Sequence, residues 1–307
     1  MMQQTFYNHS STRVDINGQC MNGLSFKDFF NINQNVTIRI NATNICNLHC
    51  THCDNDAHLP FSKNGELLHR RSQLISKVSD INAFCELMTG IGEADPHILT
   101  GGEITTLPVA TIETYIDMLH SFGRKIGMRT NGYNICGISP KKLQMLDRIY
   151  LNDHGINREA IDSSREYLDK HFHGNLILEE SLKHRDLRSI VKHGQGTIEQ
   201  ALSCNHLLAT LTLLPPVVLP CCNTWALMNS LNSDLMMTAL INAGWTIHNP
   251  NLKETLRNWR TTLPKEFLQT YCADSCYMTR SDTFPTYDIQ KHPKDRVLKR
   301  IPIVTIT

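Results

Sequence analysis

Between residues 96 and 178 the chain repeats one unit: a short apolar strand, a turn built from Gly, Asn, Asp or Glu, and an amphipathic helix. Pro96 to Thr100 reads as a strand ending in Gly101-Gly102-Glu103. Ala110 to Phe122 reads as a helix, with Ile112, Tyr115, Ile116, Met118 and Leu119 apolar. Lys125 to Arg129 is the next strand, ending in Thr130-Asn131-Gly132, and Pro140 to Leu146 the next helix. Arg148 to Asn152 ends in Asp153-His154-Gly155, Arg158 to His171 is helical, and Asn175 to Leu178 is a further strand. Upstream, Val36 to Ala42 alternates apolar and polar residues as a strand does, and Ser79 to Thr89 reads as a helix. Repetition in this order predicts an α/β fold: a parallel sheet with helices outside it. In α/β barrels the active site is built at the C-terminal ends of the strands, and here four consecutive strand ends carry polar or cysteine-bearing loops.

The first of those loops holds the densest chemistry. Directly after the first strand comes Cys46-Asn-Leu-His-Cys50-Thr-His-Cys53, a C-x3-C-x2-C run. Three thiolates so close can bind three irons of a four-iron cluster and leave the fourth open to a ligand. Zinc is the competing reading, with His49 and His52 completing a ligand set, although zinc sites usually pair two separated C-x2-C or C/H motifs. The chain has eleven cysteines in 307 residues. The first ten residues lack the basic and apolar regions of a secretory signal, and no apolar run reaches the ~18 residues of a membrane span. These features favour metal ligation in the cytoplasm over a disulfide framework. Lys plus Arg (30) balance Asp plus Glu (29), which argues against nucleic acid and against a charged membrane surface. The basic tail from Lys291 to Arg300 reads as a solvated terminus.

Together the cysteine run and the loops resemble the radical S-adenosylmethionine (SAM) superfamily, over roughly residues 36 to 180. The resemblance implies a partial (β/α)6 barrel, TIM-like, with a [4Fe–4S] cluster on Cys46, Cys50 and Cys53. It implies SAM chelated through its amine and carboxylate to the open iron and cleaved, on reduction, to methionine and a 5′-deoxyadenosyl radical. His52 then lies against the adenine. Gly101-Gly102-Glu103 matches the family's second-strand motif with Ile104 in place of the usual proline: the glycines allow close approach to the ligand, and Glu103 accepts from the methionine ammonium. Thr130-Asn131-Gly132 matches the third-strand motif. Arg129 faces the SAM carboxylate or a substrate anion, or pairs with an acid on the outer face. Asn152 and Asp153 serve the ribose hydroxyls or form a turn. His154 is a candidate for proton transfer, and Cys136 a candidate hydrogen-atom donor; a structural role is the alternative for each.

A second cysteine set follows residue 200. Cys204, the strand Leu207 to Leu214, Pro220-Cys221-Cys222 and the pair Cys272 and Cys276 resemble the auxiliary-cluster modules, called SPASM and twitch, of the same superfamily. With five cysteines there, one auxiliary [4Fe–4S] cluster is the fit, on Cys204, Cys221, Cys272 and Cys276, with Cys222 as the substitute for Cys221. Zinc at these positions is the alternative. The expected organisation is a lead-in (1–35), a core (36–200), a small α+β module (201–285) and a tail (286–307). The expected activity is hydrogen abstraction from a small polar metabolite, such as a sugar, aminocyclitol or nucleoside-like compound, giving oxidation or epimerisation with the auxiliary cluster as electron relay. A ribosomal peptide or protein is the alternative substrate, and a non-catalytic zinc or iron–sulfur protein the alternative class. The implied electron donor is external, a flavodoxin or ferredoxin.

Overall fold

The computed structural model describes residues 37–50, 75–89, 96–180, 183–184, 196–202, 207, 210–221, 234–276, 287–288 and 296–297. Five strands follow one another across a sheet in chain order: β1 (Thr37–Thr43), β2 (His97–Gly101), β3 (Ile126–Thr130), β4 (Arg148–Asp153) and β5 (Asn175–Glu180). Every neighbouring pair among them is parallel. A sixth strand, β6 (Thr210–Leu214), lies parallel on the other side of β1, and β7 (Val217–Leu219) turns back antiparallel beside it. The sheet therefore has seven strands in the order β5-β4-β3-β2-β1-β6-β7, with β1 in its interior.

Side chains alternate between the two faces of a strand, and the two faces differ sharply. On one face Ile38, Ile40, Leu99, Met128, Ile149 and Leu213 form a core with the connecting helices. Those helices are α1 (Val78–Leu87), α2 (Val109–Ser121), the short α3 (Pro140–Leu143) and α4 (Arg158–His171). In α2 the buried residues Ile112, Tyr115, Ile116 and Leu119 fall at helical spacing, a stripe aimed at the sheet. Each such side chain contributes roughly 1.5–3 kcal/mol on burial. On the other face the register aligns Arg39 with Ile98 and Thr212, Asn41 with Thr100, Gly127 with Arg148, and Arg129 with Tyr150. That face is mostly polar, although Thr100, Tyr150 and Thr212 are buried there.

The rhythm of strands and helices is where the sequence places it, with ends shifted by a residue or a few. Three expectations change. The strand expected in a separate C-terminal module is β6, hydrogen-bonded to β1, because its apolar Leu211 and Leu213 complete the helix-side core. The module's two described strands thus belong to the main sheet, and its described remainder, residues 234–276, is largely helical. The tail is not wholly solvated: Arg296–Val297 pairs antiparallel with Leu48–His49 of the cysteine loop, and Tyr287–Asp288 with Lys183–His184. No described helix is long and apolar enough to cross a membrane.

Candidate functional site

Parallel pairing brings the C-terminal ends of β1 to β4 to one end of the sheet. The cysteine loop leaves β1 through a register shift between Asn41 and Thr43, and the Gly-Gly-Glu turn continues the pairing beyond it. Gly102 N–H donates to Thr43 O and Glu103 N–H to Ile45 O, both at 2.6 Å. A Cβ on Gly101 would stand 2.0 Å from Thr43 O, and one on Gly102 2.2 Å from Ile45 O. Gly101 also holds a φ of 136°, open to glycine and strained for other residues. What comes close to these glycines is the backbone of the cysteine loop, where the sequence reading expected a ligand.

Glu103 is the knot of this edge. It is 1% exposed. Its Oε1 accepts from Thr105 N–H (3.0 Å), Thr105 Oγ1 (2.6 Å) and Thr130 Oγ1 (2.6 Å), and its Oε2 from Asn131 N–H (2.5 Å). Burial pushes its carboxyl above the usual range, while the hydrogen bonds pull the other way. The side chain that the resemblance assigns to the SAM ammonium is bonded here to the ends of β2 and β3.

Asn131 carries the connection to the cysteines. Its Nδ2 donates to Asn47 Oδ1 at 2.8 Å and reaches Cys46 Sγ at 3.8 Å, while Leu48 N–H points at the same sulfur from 3.4 Å. N–H groups aimed at a sulfur are also the donors that tune the cysteine sulfurs of iron–sulfur clusters. Cys46 is half-buried and Cys50 buried. This donor set suits an iron–sulfur ligand. Cys53 and His52 lie outside the described residues.

The fourth strand end is tied in by Asn157. Its Nδ2 donates to Asn131 O (2.7 Å) and Asn152 O (3.0 Å), and its Oδ1 accepts from His154 N–H (2.8 Å). Asp153 accepts from Gly155 N–H and from Arg158 at the start of α4, each within 2.8 Å. Its carboxylate holds the turn and the first residue of α4. Asn152 differs: its Oδ1 is buried with no hydrogen-bond partner among the described residues.

The remaining candidates lie elsewhere. Arg129 projects on the polar face, pairs with Glu179 of β5 through both carboxylate oxygens and sits 4.8 Å over the Tyr150 ring. Cys136 is exposed on a single 3₁₀ turn, its thiol toward Ser163 O of α4, and desolvation raises its pKa. Cys221 follows the antiparallel β7. Leu219 is level with Thr212, which places Cys221 near the start of β6, roughly 20 Å along the strands from the cysteine loop. Among the described residues no three His, Cys, Asp or Glu side chains converge to hold a metal, so Cys221, Cys272 and Cys276 do not form such a group by themselves. Cys204 and Cys222 lie outside the described residues.

The structure thus gathers Cys46, Gly101, Gly102, Glu103, Asn131, Asn152 and Asp153 at one end of the sheet. It draws in Thr130 of the third-strand motif and adds Asn47, Thr105 and Asn157, which the sequence does not single out. Their only sequence signal is position: each is a small polar residue within a few places of a strand end.

No family model matches the chain, and no curated protein matches it. Among solved structures, anSMEcpe with bound AdoMet and a peptide overlaps at 13% identity and a TM-score of 0.35, covering 48% of this chain and 43% of that one. Native anSMEcpe with bound AdoMet overlaps at 14% identity and a TM-score of 0.36, covering 64% and 59%. SuiB of Streptococcus suis bound to precursor peptide SuiA overlaps at 11% identity and a TM-score of 0.34, covering 80% and 72%. The chain spans less than half the length of the first of these. Scores this low mark partial overlap of strands and helices.

Proposed function

We propose that the chain is a radical SAM enzyme built on a partial barrel, with a [4Fe–4S] cluster on Cys46, Cys50 and Cys53. The observation that carries the reading is the bracing of Cys46: a thiol at the end of a parallel strand, approached by Leu48 N–H and Asn131 Nδ2 and locked to the Gly101-Gly102-Glu103 turn. The bound pair of cluster and SAM supplies a 5′-deoxyadenosyl radical, with a flavodoxin or ferredoxin as electron source. The chain's own part is to hold thiolates, exclude water and fix the neighbouring strand ends. Asn152, with its unpartnered carbonyl oxygen, is the ribose contact; His52 is the adenine contact.

The substrate is a peptide or a small polar metabolite, and the two are separated by assay. The bound peptides in two of the structures named above make a peptide the first class to try. An auxiliary cluster on Cys204, Cys221, Cys272 and Cys276 is the second metal site of this reading. The competing class is a non-catalytic zinc or iron–sulfur protein.

Anaerobic reconstitution followed by chromatography for 5′-deoxyadenosine tests the enzyme. Cys46→Ala and Cys50→Ala are expected to abolish its formation; full cleavage in either variant, or zinc as the sole metal, overturns the reading. Cys272→Ala and Cys276→Ala are expected to keep uncoupled cleavage and to lower iron content. Unchanged iron in both removes the auxiliary cluster alone.

A further inference from the structure

We infer that the polar face of the sheet binds the substrate through a carboxylate, with Arg39 as its counter-charge. The inference rests on the radical SAM reading for what is done to that substrate, while the binding claim depends on this face alone.

Arg39 lies on β1, inside the sheet, and its register partner on β6 is Thr212. Both share the face turned away from the helix core. Among the described residues Arg39 Nε and Thr212 Oγ1 are each buried with no hydrogen-bond partner, and Arg129 Nε on the same face is a third such atom. Polar atoms taken out of water cost free energy unless something bonds to them. Two on adjacent strands, side by side, mark a place where a polar ligand sits.

The charge balance gives the ligand its sign. Along this face β1 to β5 carry Arg39, Arg129 and Arg148, against Glu179 as the one described carboxylate. Glu179 is taken by Arg129. Arg148 donates to Tyr150 OH at 3.0 Å. Arg39 is close enough for its charge to act on Arg129. A cationic ligand would add repulsion here, and a neutral one would leave the excess positive charge. A carboxylate accepts two N–H bonds from a guanidinium fork and has lone pairs left for the Thr212 hydroxyl. Its source is a free small acid or an acidic side chain of a peptide.

The test uses the full reconstituted chain and calorimetric titration at constant ionic strength. The probes are glutarate, the peptide acetyl-Gly-Glu-Gly-amide, inorganic phosphate and uncharged glutaramide. Binding of glutarate or the peptide, with no binding of glutaramide, is the expected result, and the tighter of the two identifies the source. Arg39→Gln should weaken it by roughly tenfold or more; Arg39→Lys, which keeps the charge, and Thr212→Val should each weaken it less. If Arg39→Gln does not fold, the last two variants decide. Failure of both carboxylates to bind, binding of phosphate alone, equal binding of glutaramide, or undiminished affinity in the variants overturns the inference. Formation of 5′-deoxyadenosine in the same preparation reports on the radical reading separately: binding without cleavage removes that reading and keeps the carboxylate site, and cleavage without binding does the reverse.

Discussion

The strand ends and the polar face of the sheet both bury polar groups, but they treat them in opposite ways. At the strand ends Glu103 receives four hydrogen bonds from the chain, and Asn131 and Asn157 link one strand end to the next. On the polar face Arg39 Nε, Thr212 Oγ1 and Arg129 Nε are buried without hydrogen-bond partners among the described residues. A network that satisfies itself holds a geometry and has little left to offer a ligand. A surface with unsatisfied buried groups is complete only when something binds. The residues around Cys46 are therefore built to hold a geometry, and on the reading proposed above the residues of the polar face are left to meet a ligand.

The hardest blow to the frame is steric. Gly102→Ala puts a methyl 2.2 Å from Ile45 O, a backbone atom that cannot rotate away. The cysteine loop must then move, at a cost of more than about 3 kcal/mol. Chemical denaturation measures the loss, and iron uptake should fall with it. If iron uptake and stability both hold, the loop is not pinned through this contact. Next in size is Glu103→Ala, which leaves four donors facing a cavity and should cost about 3 kcal/mol. Glu103→Gln should cost less, because one oxygen survives. Equal losses in the two variants would mean that shape rather than hydrogen bonding makes Glu103 the knot.

The sequence made much of the frame readable and left the reasons out of sight. The run of strands and helices is legible because apolar residues recur with periods of two and of 3.6, and Cys46, Gly102, Glu103 and Asn131 all stand at strand ends, where such folds place chemistry. What Glu103 touches is a different matter. Its partners Thr105, Thr130 and Asn131 are 2, 27 and 28 residues away, and no local pattern announces pairings of that range. The same limit hid β6: Leu207 to Leu214 reads as a strand, but its pairing with β1, more than 170 residues earlier, depends on the register of the whole sheet. The polar face is hidden because a strand read alone does not show that Arg39, Arg129 and Arg148 share one surface. Only the register puts them on one surface.

The polar face can be probed through the one acid it carries among the described residues. Glu179→Gln leaves Arg129 half-buried beside Tyr150 without its carboxylate. The pair is only partly shielded from water, so the cost is about 2 kcal/mol. The same change has a second consequence: with Arg129 released, glutarate should bind the face more tightly. Lower stability together with tighter glutarate binding would support a ligand role for this face, and lower stability with unchanged binding would confine Glu179 to a structural one.

His97 puts the rule that orphaned groups await a ligand under strain. It stands at the start of β2 among the residues facing the helices, 1% exposed, and neither ring nitrogen has a hydrogen-bond partner. Burial, with a smaller push from Arg124, holds its pKa down at about 3 against an ordinary 6.5. A neutral imidazole tolerates this place and a charged one does not, so the orphaned nitrogens need no ligand to explain them. Between the two pKa values the unfolded chain binds a proton that the folded chain refuses. The stability His97 contributes is therefore complete above about pH 6.5 and is lost as pH falls toward 3, at up to about 1.4 kcal/mol per unit. Denaturation midpoints measured from pH 7.5 down to pH 5 should drop faster for the wild type than for His97→Leu. Parallel profiles would mean that the buried ring keeps its proton balance on unfolding, and His97 would then belong with Arg39 and Thr212 among the groups that await a partner.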